Sequence, residues 1–183
     1  MSRKFYPVLL LSILFFQFPA FSQSFNLLKD INPGNASSSY FNATNINGVL
    51  YFRPDDGVHG DELWKSNGTA AGTVLVKDIN PGAAGSELQE FTNVNGVLYF
   101  RANDGVHGTE LWKSDGTVAG TLMVKDINPG PEGGILSTLF ASNGSVYLQA
   151  NDGTHGNELW KSDGTEAGTI ILKDIYPGVA TSG

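Results

Sequence analysis

Hydrophobic and polar residues alternate along this chain in short runs separated by glycine-centred turns. Residues 97–102 (V-L-Y-F-R-A) predict a strand with Leu98, Phe100 and Ala102 on one face and Val97, Tyr99 and Arg101 on the other. The preceding Asn95-Gly96 is a type I′ hairpin signal, since both central residues of that turn take positive φ. Asn103-Asp104-Gly105 ends the strand. Residues 110–114 (E-L-W-K-S) predict a second strand ended by Asp115-Gly116, and residues 121–127 a third ended by Asn128-Pro129-Gly130. Residues 88–94 predict a weaker fourth. No window carries a helical period with caps.

This pattern recurs. Lys-Asp-Ile-Asn-Pro-Gly begins at Lys29, Lys77 and Lys125, and returns at Lys173 with Tyr176 for Asn, always at a step of 48. His59, His107 and His155 keep the step, as do Trp64, Trp112 and Trp160. Residues 31–78 and 79–126 agree at 33 of 48 positions; a third unit spans 127–174 and a fourth opens over 175–183. Four short strands per unit in tandem predict an all-β fold in which the units are blades of an incomplete β-propeller. A β-trefoil, also built from three four-stranded units, is the alternative. A propeller uses about 4–8 blades, so an open arc is expected, completed by further blades of a longer chain or by another protein.

Residues 1–22 stand outside the repeat domain of 23–183. Arg3 and Lys4 precede a nine-residue apolar run at 8–16, and Ala20-Phe21-Ser22 offers small residues at the two positions a signal peptidase reads. The run is too short for a spanning helix, which needs about 20 apolar residues, and Pro7, Gln17 and Pro19 bound it. The expectation is a signal peptide cleaved after Ser22, with the protein secreted or held at the outer cell surface and no membrane span. Loss of Arg3 and Lys4 takes the net charge from −7 to −9, which opposes nucleic-acid binding. Cysteine is absent, which excludes disulfides and thiol chemistry.

The run E-L-W-K-S-[ND]-G-T stands at 62–69, 110–117 and 158–165, each time followed by x-A-G-T and then by the K-D-I-[NY]-P-G block. It resembles the ELWxxDGT (hyalin-like) repeat family of secreted and surface bacterial proteins, abundant in Bacteroidetes, and the resemblance covers the whole of 23–183. It implies export, large tandem arrays, propeller folding and often a C-terminal sorting domain. This chain shows no such domain, and the resemblance implies no enzymatic activity.

Three sets of residues invite a chemical reading. Asp56, His59 and Glu62, with counterparts Asp104, His107, Glu110 and Asp152, His155, Glu158, put carboxylate and imidazole within seven residues, as a metal site or an acid–base pair does. Every unit keeps the trio, which points instead to bracing within each blade, with the His, the Trp and the Ser-Asp turn as hydrogen-bonding partners. No catalytic or metal residues are assigned, and no cofactor. The spacing leaves room only for weak calcium binding through carbonyls. His59, His107, His155, Trp64, Trp112 and Trp160 are the weak binding candidates, the tryptophans as sugar platforms or, more simply, as fillers between blades. The repeated Lys-Asp pairs read as exposed ion pairs.

The units diverge at 35–46, 83–94 and 131–142, and a ligand surface is expected there. The expected function is a non-catalytic exported module for cell-surface adhesion or for protein or glycan interaction. The alternative is the N-terminal part of a secreted propeller glycoside hydrolase, which needs a carboxylate pair special to one unit. Glu87, Glu90 and Glu132 are such unshared acids.

Overall fold

The computed structural model describes residues 26–34, 38, 41–135, 137–175 and 177. The expected signal peptide lies outside the described residues. Among the described residues, twelve strands form three separate four-stranded antiparallel sheets. The first holds β1 (Phe41–Ile46), β2 (Val49–Arg53), β3 (Leu63–Ser66) and β4 (Val74–Lys77). The second holds β5 (Gln89–Val94), β6 (Val97–Asn103), β7 (Thr109–Ser114) and β8 (Leu122–Lys125). The third holds β9 (Phe140–Ser142), β10 (Ser145–Asn151), β11 (Asn157–Ser162) and β12 (Ile170–Lys173). Each sheet is a simple meander in chain order, and no sheet closes on itself among the described residues.

Local chemistry sets the register. Asn47-Gly48, Asn95-Gly96 and Asn143-Gly144 all have positive φ at both residues, the twist-matched type I′ geometry that pairs Ile46 with Val49 and Val94 with Val97. The sequence-predicted strands are all present, with ends that differ by a few residues. The third is shorter than its hydrophobic run because Asp126 and Ile127 turn away toward the next unit.

Pleating gives each sheet two apolar faces, and each inner face is buried against the neighbouring sheet. Between the first and second sheets lie Ile46, Tyr51, Leu63 and Val76 from one side and Leu98, Phe100, Ala102 and Trp112 from the other. Between the second and third, Val94, Tyr99, Leu111 and Val124 meet Val146, Leu148, Ala150 and Trp160. The same sequence positions are used twice, one unit apart. First strands also adjoin, β1 beside β5 and β5 beside β9.

The linkers are drawn tightly across these joints. Ser86 N donates to Asp61 O at 3.1 Å and Asn103 N to Ser86 O at 2.9 Å, so one linker residue bridges two sheets. Gly108, at φ +68°, fits because a Cβ there would overlap Gly133 N and Pro131 O.

Candidate functional site

The Asp-His-Glu trio divides into two structures with different jobs. Asp and His form a closed turn. Asp56 Oδ1 accepts the amides of Val58 at 2.9 Å and His59 at 2.8 Å, while its Oδ2 faces His59 Nδ1 at 2.7 Å. Asp104 with His107 and Asp152 with His155 repeat these bonds at the same distances to within 0.1 Å. Burial works to raise the three aspartate pKa values, but the backbone and ring hydrogen bonds outweigh it and hold them below 3.8. Hydrogen bonding to those carboxylates in turn raises the three histidines above 6.5.

The glutamates point the other way. Glu62 accepts the amides of Ile79 at 2.8 Å and Asn80 at 3.2 Å, and the Ser86 hydroxyl at 2.8 Å. Glu110 takes Ile127 at 3.1 Å and Asn128 at 3.3 Å, and Glu158 takes Ile175 at 3.1 Å. Each carboxyl thus satisfies backbone donors where the chain leaves one sheet for the next. Burial pushes Glu62 and Glu110 up to about 7 despite these donors. Among the described residues no group of three His, Cys, Asp or Glu side chains is gathered to hold a metal ion.

Trp112 and Trp160 lie between sheets and Trp64 on the front of the first sheet, and a lysine 35 residues earlier covers each ring. Lys29, Lys77 and Lys125 stand 5.6, 5.7 and 5.7 Å from the ring centroids of Trp64, Trp112 and Trp160. The same ammonium groups donate to the carbonyls of Thr73, Thr121 and Thr169 at 2.6, 2.8 and 3.0 Å. The rings are 5–7% exposed, which leaves no face for a sugar. Lys77 and Lys125 are therefore joints between sheets rather than partners of the aspartates beside them. The expected His-Trp-Ser hydrogen-bonded chain does not form either. The indole Nε1 atoms have no partner among the described residues, and Ser66, Ser114 and Ser162 bond Thr73, Thr121 and Thr169 instead.

The S-[ND]-G-T tips are self-contained. Asn67, Asp115 and Asp163 each accept the amide and hydroxyl of the threonine two residues on, and that threonine's hydroxyl accepts the Gly72, Gly120 or Gly168 amide.

Some of the polar side chains that the repeat does not use meet at one cleft, which Glu90 and Glu132 do not line. A polar cleft of about 610 Å³ opens beside the linker from the first sheet to the second, lined among others by Arg53, Asp55, Asp61, Glu87, Gln89 and Asn103. Glu87 and Gln89 come from the divergent window 83–94. Arg53 and Asp61 approach to 4.0 Å across the cleft. Asp55 and Asp61 are absent from the sequence-based candidates, although a signal existed: their counterparts are Asn103 and Asn151, and Thr109 and Asn157.

No family model and no curated protein matches the chain. Among solved structures, the computationally designed Ika8 protein aligns over 84% of this chain and 42% of its own length, at 16% identity and a TM-score of 0.45. The designed Ika4 protein aligns over 86% of this chain and 84% of its own, at 15% identity and the same TM-score. The chain thus spans less than half of the first of these, and likeness at that level lends nothing to the account of this chain.

Proposed function

We propose that the chain is an exported, non-catalytic recognition module whose three units are blades of a β-propeller arc, serving adhesion or glycan and protein binding at the cell surface. The observation that carries this reading is the use made of the repeated polar side chains. Every Asp-His pair, buried glutamate and lysine over tryptophan is spent on hydrogen bonds or ring contacts within the repeat, at the same positions one unit apart. Asp55, Asp61, Glu87 and Gln89, which the other units do not keep, instead line one cleft together. Asp, Glu, Gln, Asn and Arg at hydrogen-bonding reach of one open space suit a ligand rich in hydroxyl groups. Successive meanders packed face to face, with their first strands adjoining, support the blade reading.

The test is binding of the secreted protein to immobilised glycans of varied composition, with Glu87→Ala and Asp61→Ala beside the parent. The expected result is retention by a subset of glycans, weakened about tenfold or more in both variants. Release of reducing sugar by the parent protein, abolished by either variant, would replace this reading with the hydrolase alternative.

A further inference from the structure

Residues 27–34 serve the first sheet as the end of each sheet serves the next. They read L-L-K-D-I-N-P-G and match residues 171–178, I-L-K-D-I-Y-P-G, at six of eight positions. Lys29 makes the two contacts that Lys77 and Lys125 make one and two units later, to a threonine carbonyl and to the face of a tryptophan. Lys77 and Lys125 end β4 and β8, the fourth strands of their sheets. Lys29 thus holds a fourth-strand position with no described first, second or third strand beside it.

Among the described residues the remainder of that joint is open. At the two complete joints the hydroxyls of Tyr51 and Tyr99 lie against Gly116 and Gly164, and Lys65 and Lys113 donate to the same glycine carbonyls at 2.8 and 2.7 Å. At Gly68, the equivalent glycine, no described atom lies within 4 Å of where a Cβ would stand. Leu50 is 40% exposed, whereas its counterparts Leu98 and Val146 are fully buried. An apolar groove of about 450 Å³ runs there between Leu27, Leu28, Ile31, Leu50 and Phe52. Forty-eight residues before Tyr51 and Lys65 stand Arg3 and Gln17, so the preceding sequence does not continue the repeat.

We propose that residues 27–30 are the fourth strand of a composite sheet whose first three strands belong to a further unit of this repeat, docked on the front of the first sheet. The chemistry of the occupant follows from the two complete joints. Its second strand brings a tyrosine onto Gly68. Its third strand, of E-L-W-K-S type, brings a lysine to the Gly68 carbonyl and offers its free edge to residues 27–30. The registers Leu63 with Lys77 and Trp64 with Leu75 set Lys29 opposite that strand's leucine and Leu27 opposite its tryptophan. The proposal rests on the reading that successive units stack as blades.

With no cysteine in the chain, one introduced pair reports this pairing without competition. The full chain is extended after Gly183 by a copy of residues 88–114, which continues the unit opened at 175. It carries Leu27→Cys together with Trp112→Cys made in the appended copy alone. The expected result is near-complete loss of free thiol, through a disulfide within one chain or between two, with the amides of the extension protected from hydrogen exchange. A protected extension that keeps both thiols free overturns the composite sheet and leaves the stacking of blades intact. An unprotected extension with free thiols contradicts the stacking as well as the composite sheet.

Discussion

Lys77 Nζ lies 5.7 Å from the centroid of the Trp112 ring and donates to Thr121 O at 2.8 Å, joining the last strand of one sheet to the third strand of the next. A half-buried ammonium over an indole, with one strong hydrogen bond, contributes about 1–2 kcal/mol beyond the packing of its stem. Lys77→Met keeps most of the stem and removes the charge. Chemical denaturation should show a loss of that size, with tryptophan emission altered in the native baseline. An effect no larger than about 0.5 kcal/mol, as for ordinary surface substitutions, would return Lys77 to the role of an exposed ion pair.

The buried glutamates are expected to separate charge from geometry. Glu110→Ala leaves the amides of Ile127 and Asn128 without their acceptor and costs about 2–4 kcal/mol. Glu110→Gln keeps an acceptor oxygen and costs much less. Equal losses in the two variants, read from urea midpoints, would contradict a backbone-satisfying role.

Stability should fall as the medium turns alkaline. Glu62 and Glu110 hold their protons up to about 7 in the folded chain against 4.5 ordinarily, so the folded state binds more protons across that window. Their contribution is therefore full below 4.5 and is lost as pH rises through about 7. Each tenfold gain in proton affinity on folding corresponds to roughly 1.4 kcal/mol. The raised histidines act in the same direction, contributing below 6.5 and losing that contribution as pH rises through their higher folded values. The lowered aspartates oppose this only in acid, where stability is lost as pH falls from 3.8 through their folded values. The melting temperature is thus highest near about pH 5 and declines toward about pH 8, and Glu62→Gln with Glu110→Gln flattens the decline. A curve that climbs to about pH 8 would contradict this assignment.

Gly108→Ala tests the closeness of linker and turn. A Cβ at this positive φ meets backbone atoms of Pro131 and Gly133, which cannot move as a flexible side chain would. The expected loss is about 2–4 kcal/mol, whereas Gly68→Ala, also at positive φ but in open space, costs only about 1 kcal/mol. Equal melting temperatures for the two variants would contradict the tight joint.

Much of the fold was legible because the repeat writes each strand three times and the Asn-Gly turns fix the register by local chemistry alone. The alternation of Leu98, Phe100 and Ala102 with Tyr99 named both buried faces of β6 correctly, although sequence alone did not say which sheet each face would meet. The lysine joints read as ion pairs because Lys77 and Asp78 are neighbours in sequence, while the true partners, Trp112 and Thr121, lie in the next unit. Proximity in sequence misleads in the same way at Asp104, His107 and Glu110. The first two close a turn, whereas Glu110 sits on a strand whose pleat points it inward toward Ile127. The polar cleft depends on Asp55 and Asp61 meeting Glu87 across a linker, and no local pattern marks that.

The outward faces of the first and third sheets meet no further sheet among the described residues. Leu172 on the third sheet is 45% exposed and Ile175 just after it 68%, whereas their counterparts Val124 and Ile127 are 6% and 4% exposed beneath a following sheet. Light scattering of the chain from Gln23, over a range of concentrations and beside Leu172→Lys, tests this most directly. Association that grows with concentration and is reduced by the substitution is the expected result. A compact monomer at every concentration, with a mass indifferent to Leu172→Lys, would contradict it.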